Sequence, residues 1–136
     1  MTADATTTLA AQKFVSLTTF KKSGDAVATP LWIGDDGGQL FFWTPADSFK
    51  VKRIRNNQRV TLVGCGRFGK PHDGAAVVEG SAEVIDDAAT VDRLAGVIRR
   101  KYGLEFHVVT FIERLAARGR RKPRVILRIT LSDRAG

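Results

Sequence analysis

The 24 residues from 39 to 62, QLFFWTPADSFKVKRIRNNQRVTL, decide how this chain is read. Residues 39–44 (QLFFWT) are rich in aromatic and β-forming side chains and read as a strand. The period then changes. Asp47-Ser48 makes a capping pair, and Val51 and Ile54 recur at helical spacing, so 47–57 reads as a short helix. Val60-Thr61-Leu62-Val63 returns to strand character. The strand–helix join carries Thr44, Ser48, Lys50 and Lys52. Backbone N–H groups at a helix start, a Ser or Thr hydroxyl and one or two lysines suit a phosphate. A solvated basic helix face is the plain alternative.

Working outward, residues 14–20 (FVSLTTF) read as a first strand, followed by turn chemistry at 22–25. A second strand spans 26–33 (AVATPLWI). Pro30 inside it demands an edge or a bulge, because proline cannot donate to a ladder. By composition 34–38 (GDDGG) is a hairpin turn. Downstream, a loop begins at 64–71, and 75–85 is a long strand bent at Gly80. Residues 87–102 form an amphipathic helix closed by Gly103, 105–117 a second helix, and 124–131 (RVILRITL) a final alternating strand. The first dozen residues are expected to be loose, and 13–136 to form a single domain. Six strands, mostly antiparallel, make a mainly β chain. A short helix follows the third strand and a helical pair precedes the last, so the expectation is a small β-barrel.

A chain of 136 residues has room for one sizeable core. Its unusual number is a net charge of +8, and the excess is localised. Residues 48–70 hold seven basic groups and no acid, and the part from Arg99 onward holds eleven basic and three acidic groups. Nucleic acid, an anionic membrane surface and an acidic ligand are all compatible with such a surplus. One cysteine, Cys65, excludes an internal disulfide and a cysteine zinc site; His72 and His107 lie far apart, so no metal is expected. Apolar runs are too short to span a bilayer and no signal-peptide pattern opens the chain, so a cytoplasmic domain with no membrane partner is expected. The run from Arg118 to Arg124 reads as a solvated loop, or as a contact for an acidic tail. No aromatics interleave with it, so nucleic acid is not the expected partner. Trp32 and Trp43 read as core or interface residues, Cys65 as a buried strand end and Tyr102 as helix-end packing.

These residues resemble the pyridoxamine 5′-phosphate oxidase-like split β-barrels, which are dimers that bind FMN or the deazaflavin coenzyme F420. The likeness rests on Trp43-Thr44-Pro45-Ala46-Asp47-Ser48-Phe49-Lys50, on Asn57-Gln58-Arg59-Val60-Thr61-Leu62 and on Val78-Glu79-Gly80-Ser81-Ala82-Glu83-Val84. It runs in order over about 14–131. Ala28-Thr29-Pro30-Leu31-Trp32 and Lys101-Tyr102-Gly103 make it similar to the actinobacterial branch of F420-dependent oxidoreductases. The resemblance implies a six-stranded antiparallel split β-barrel. It implies that Lys50 binds the cofactor's phosphate, with Ser48 and Thr44 lining the same pocket beside Trp43. The oxidases' arginine position holds Phe49 here, and Lys52 or Arg55 is the expected substitute. Thr29, Pro30, Leu31 and Trp32 match the strand that lies along the cofactor ring. The substrate pattern and C-terminal Trp–Arg segment of true vitamin B6 oxidases are not matched, so that activity is not expected. Hydride transfer needs no side-chain nucleophile, and no catalytic residue is assigned. The implied activity is an F420-dependent oxidoreductase acting on a small organic substrate, as a homodimer with its site between subunits. FMN is the alternative cofactor; outside the class stands a non-catalytic cofactor- or nucleic-acid-binding protein.

Overall fold

The computed structural model describes residues 2–116 and 123–132, and the ten elements run α1(Thr2–Ala10), β1(Phe14–Phe20), β2(Ala26–Asp36), β3(Gln39–Pro45), α2(Phe49–Asn56), β4(Arg59–Cys65), β5(Val78–Ile85), α3(Ala88–Tyr102), α4(Leu104–Ala116) and β6(Arg124–Leu131). The strands close into a six-stranded barrel in the order β1-β2-β3-β6-β5-β4, every pair antiparallel. The expected mainly β architecture, with one helix after β3 and two before the last strand, is what the chain adopts.

Alternation along the strands builds two cores. On β3, Leu40, Phe42 and Thr44 point inward, where Leu40 and Phe42 join Val15, Leu17, Ile33 and Leu62 in the barrel interior. Phe41 and Trp43 point outward, and with Ile126 they pack under Val91, Leu94 and Ile98 of α3 and Phe106 of α4. Tyr102 ends α3 with its single hydroxyl proton within hydrogen-bond reach of two carbonyls, those of Lys13 (2.7 Å) and Ile33 (2.8 Å). The Lys101 ammonium donates to the carbonyls of Ala10, Gln12 and Ile33 at 2.8–3.0 Å. The Lys101-Tyr102 pair therefore ties α3 to the end of α1 and to β2. Gly103, with φ 53°, then turns the chain into α4.

Most element ends differ from the sequence reading by one or two residues, and three regions differ by more. Residues 1–12 were expected to be loose, but Thr2–Ala10 is helical and places Leu9 in the barrel core. The hairpin turn is only Gly37-Gly38, both at positive φ. Gly34, Asp35 and Asp36, assigned to the turn by composition, instead extend β2, because they pair with Phe41, Leu40 and Gln39. β5 starts at Val78 rather than at residue 75, since the first β4 partner it meets is Leu62 opposite Val78. The bend expected at Gly80 has a structural counterpart: β5 passes there from pairing with β4 to pairing with β6.

Pairing between β2 and β3 covers only Ile33–Asp36 against Gln39–Phe42. Ala26–Trp32 pairs with β1 on one side, and none of its residues pairs with β3 on the other. Trp43–Pro45 pairs with β6 and not with β2. The barrel wall is thus split between these two segments. Pro30, opposite Ser16 of β1, lies on the open flank, where a residue without an N–H is tolerated.

Candidate functional site

The site grows from the end of β3. Thr44 faces the barrel interior and is 1% exposed, and Pro45 is held to β6 opposite Arg124. The chain then turns sharply: the Ala46 N–H donates to the Pro123 carbonyl (3.0 Å) and the Ser48 N–H to the Pro45 carbonyl (3.3 Å). Ser48 is the N-cap of α2 by backbone geometry, and its carbonyl accepts the first helical bonds from Val51 and Lys52. Its hydroxyl makes no capping bond. Instead Ser48 Oγ is buried and has no hydrogen-bond partner. Asp47 is exposed, so the expected capping pair contributes no side-chain cap here.

In the first turn of α2, the Lys50 ammonium reaches back and donates to Thr44 Oγ1 (3.1 Å). Burial holds the Lys50 pKa below its ordinary value of 10.5, and the positive charges of Arg53 and Arg124 lower it further. Arg53 enters the same end of the barrel and donates through Nε to Thr19 Oγ1 (2.6 Å), a hydroxyl as buried as that of Thr44. Arg124 lies 4.0 Å from the centroid of the Trp43 ring and is ion-paired to Glu113 of α4. A desolvated lysine, two guanidinium groups and an unpaired hydroxyl therefore converge at one strand–helix join. Cations so placed repel one another, and an anion among them would relieve that repulsion and give Ser48 its missing partner. This donor set fits a phosphate.

The sequence-derived candidates distribute unevenly around this join. Thr44, Ser48 and Lys50 come together there. Lys52 and Arg55 are exposed, Lys52 lying over the Phe49 ring (5.3 Å), and the guanidinium groups beside Lys50 are those of Arg53 and Arg124. Sequence reasoning missed both. Arg53 could have been found, because a residue three after Lys50 shares its helix face. Arg124 could not, since only the β3–β6 register brings it to Pro45.

Thr29–Trp32 lies along the split, and Gly69 of the loop after β4 packs near Pro30. Trp32 turns outward and stacks on Tyr102, with ring centroids 4.4 Å apart and planes at 12°. Trp43 lies between Arg124 and Phe106, and its indole N–H is buried without a partner. Cys65 is buried at the end of β4, and burial pushes its thiol pKa up. Among the described residues no three His, Cys, Asp or Glu side chains cluster to hold a metal, and no helix is long and apolar enough to cross a membrane. Of the second basic run, Arg118 to Lys122 lies outside the described residues.

Comparison with solved structures supports the fold. A conserved hypothetical protein from Mycobacterium tuberculosis superposes with a TM-score of 0.67 at 20% identity, covering 95% of this chain and 79% of that one. The heme storage protein HutZ from Vibrio cholerae gives 0.66 at 8% identity, over 91% and 84% of the two chains. An F420 reductase gives 0.60 at 19% identity, over 92% and 91%. No curated protein matches the chain in sequence. The sequence profile described as pyridoxamine 5′-phosphate oxidase matches residues 1–134. With the barrel, the split in its wall and the phosphate-suited join all in place, the chain belongs to the pyridoxamine 5′-phosphate oxidase family.

Proposed function

We propose that this protein is a coenzyme F420-dependent oxidoreductase that reduces a small organic substrate in the cytoplasm. The observation that carries the reading is the convergence of Lys50, Ser48, Arg53 and Arg124 at the β3–α2 join. When bound, the reduced deazaflavin supplies the hydride, and the protein supplies position and electrostatics. Lys50 and Ser48 hold the cofactor's phosphate, with Thr44 orienting the Lys50 ammonium. Thr29–Trp32 offers the open backbone flank of β2 to the ring. Lys52 and Arg55 stand exposed on α2, where they would meet the cofactor's acidic tail.

The excess charge favours F420 over FMN. FMN brings one compact phosphate, whereas F420 brings a phosphodiester and a string of carboxylates, which a surface of net charge +8 attracts more strongly. The F420 reductase among the structural neighbours is consistent with that choice. The active species is a homodimer whose second copy covers the outward face of α4, where Leu104, Val108, Phe111, Ile112 and Leu115 are all exposed.

Titration of the purified protein with F420 and with FMN, followed by absorption, tests the cofactor. Saturable F420 binding, tighter than FMN and weakened about tenfold or more in Lys50→Ala, is expected. Equal F420 affinity in the parent and in Lys50→Ala would overturn the site. Binding without turnover of any substrate by the reduced cofactor would make the protein a non-catalytic cofactor-binding protein.

A further inference from the structure

We propose that the cleft between α3, α4 and the outer face of β3 is a second ligand site, built for a flat apolar molecule that carries one negative charge. This open cleft has a volume of about 720 Å³, inside the range of roughly 300–1,000 Å³ typical of pockets for small organic molecules. The inference does not depend on which cofactor the Lys50 join holds.

The cleft follows from how α4 is seated. Phe106 is the one buried residue of this helix. From there Phe106, Thr110 and Glu113 run along a single face at helical spacing and turn towards the barrel. The opposite wall, on α3, carries Val91 and Ala95, one turn apart, with Asp92 and Arg99 beside them. Between the walls lie two aromatic rings, Trp43 and Phe106, with centroids 5.2 Å apart and planes tilted by 32°. Such a floor offers stacking surface to a planar ring.

Charge at the rim sets the sign of the ligand. Glu113 is committed to Arg124. Arg99 and Arg114 also line the cleft, and neither has a carboxylate partner among the described residues. Asp92 is the one lining acid outside the Glu113–Arg124 pair, and His107 adds a ring that meets Phe106 edge-on at 5.7 Å. Two guanidinium groups against one carboxylate leave a net positive rim. An aromatic carboxylate or sulfonate satisfies both floor and rim, with an arginine available for bidentate pairing. Lys50, Ser48 and Thr44 do not line the cleft, which meets the phosphate-suited join at Trp43, Pro123 and Arg124. Both sites can therefore be filled at once.

The test uses the full chain and two probes of matched shape, 2-naphthoate and its neutral counterpart 2-naphthalenemethanol, with binding measured by equilibrium dialysis. Saturable binding at one site per chain is expected, with the anion about tenfold tighter than the alcohol. Ala95→Trp fills the space beside Trp43 and should weaken naphthoate about tenfold or more. Should Ala95→Trp fail to fold, the double variant Arg99→Ser/Arg114→Ser carries the test: both side chains are exposed, and their loss should abolish the preference for the anion. F420 and FMN should not displace naphthoate from the parent. Non-saturable binding, equal affinity for the two probes, an undiminished preference in the double variant, or displacement by either cofactor would overturn the proposal.

Discussion

Lys50 is where burial and charge work against each other. Its ammonium is partly desolvated and stands among like charges, so its pKa falls below 10.5. The sign of the consequence follows from linkage. Between the lowered folded value and 10.5 the unfolded chain binds more protons, so stability rises with pH across that window. Affinity for a phosphate falls across the same window, because the neutral amine no longer attracts it. Urea unfolding midpoints of the parent should climb as pH approaches 10.5, and Lys50→Met should lack that component. Ser48 gives a second prediction of opposite character. Its buried hydroxyl has no partner, so Ser48→Ala should leave the thermal midpoint unchanged or raise it, by up to about 1 kcal/mol of stability. On the proposed phosphate site the same change should weaken cofactor binding, measured by titration, since the ligand would lose the donor that Ser48 offers. Half of this site was legible in the sequence, and the reason is range. Thr44, Ser48 and Lys50 lie within seven residues of one another, so local chemistry reports them. Arg124 is 74 positions from Lys50 and belongs to the site only through strand pairing.

At the scale of elements, alternation and turn chemistry located all six strands, because a half-buried strand carries its own period of two. Errors fell where tertiary pairing outweighs composition. Gly34-Asp35-Asp36 has the residue types of a turn, yet it is strand, since Gly34 leaves room for the Phe41 ring that lies against it. The helical N-terminal segment was invisible because its weak apolar pattern matters only once Leu9 meets the core. Gly80 is the sharpest element-level constraint. A Cβ placed there would lie 2.6 Å from the Thr130 carbonyl oxygen, on backbone that cannot yield without moving β6. Gly80→Ala should therefore destabilise the protein by about 1–3 kcal/mol, read as a lowered urea midpoint with an unchanged slope. Because Gly80 also sits where β5 changes partners, the damage should reach the β4 and β6 ladders alike, visible as faster amide exchange in both.

For the whole molecule, the decisive surface is α4. Its inward face forms one wall of the α3–α4 cleft, while its outward face carries Leu104, Val108, Phe111, Ile112 and Leu115 with 58–77% exposure except for Val108 at 48%. Five large apolar side chains along one 13-residue helix form a contiguous patch of the kind that soluble chains cover by association. The strongly basic character of the chain bears on the proposed dimer: a second copy would have to be seated by apolar contact, since like-charged surfaces gain nothing from electrostatic attraction. Raising salt should therefore tighten or leave unchanged the proposed self-association, while it should slow capture of the proposed acidic cofactor, whose attraction would be electrostatic. Phe111→Glu and Ile112→Glu separate these effects. Both residues are exposed in the single chain, so each variant should fold with the parent's circular dichroism spectrum, yet sediment as a monomer at concentrations where the parent is a dimer. If the second copy also completes the cofactor's binding site, each monomeric variant should bind F420 at least about tenfold more weakly although Lys50 and Ser48 are untouched. A monomer with full F420 affinity would confine the cofactor to one chain and leave α4 as an interface with no part in binding.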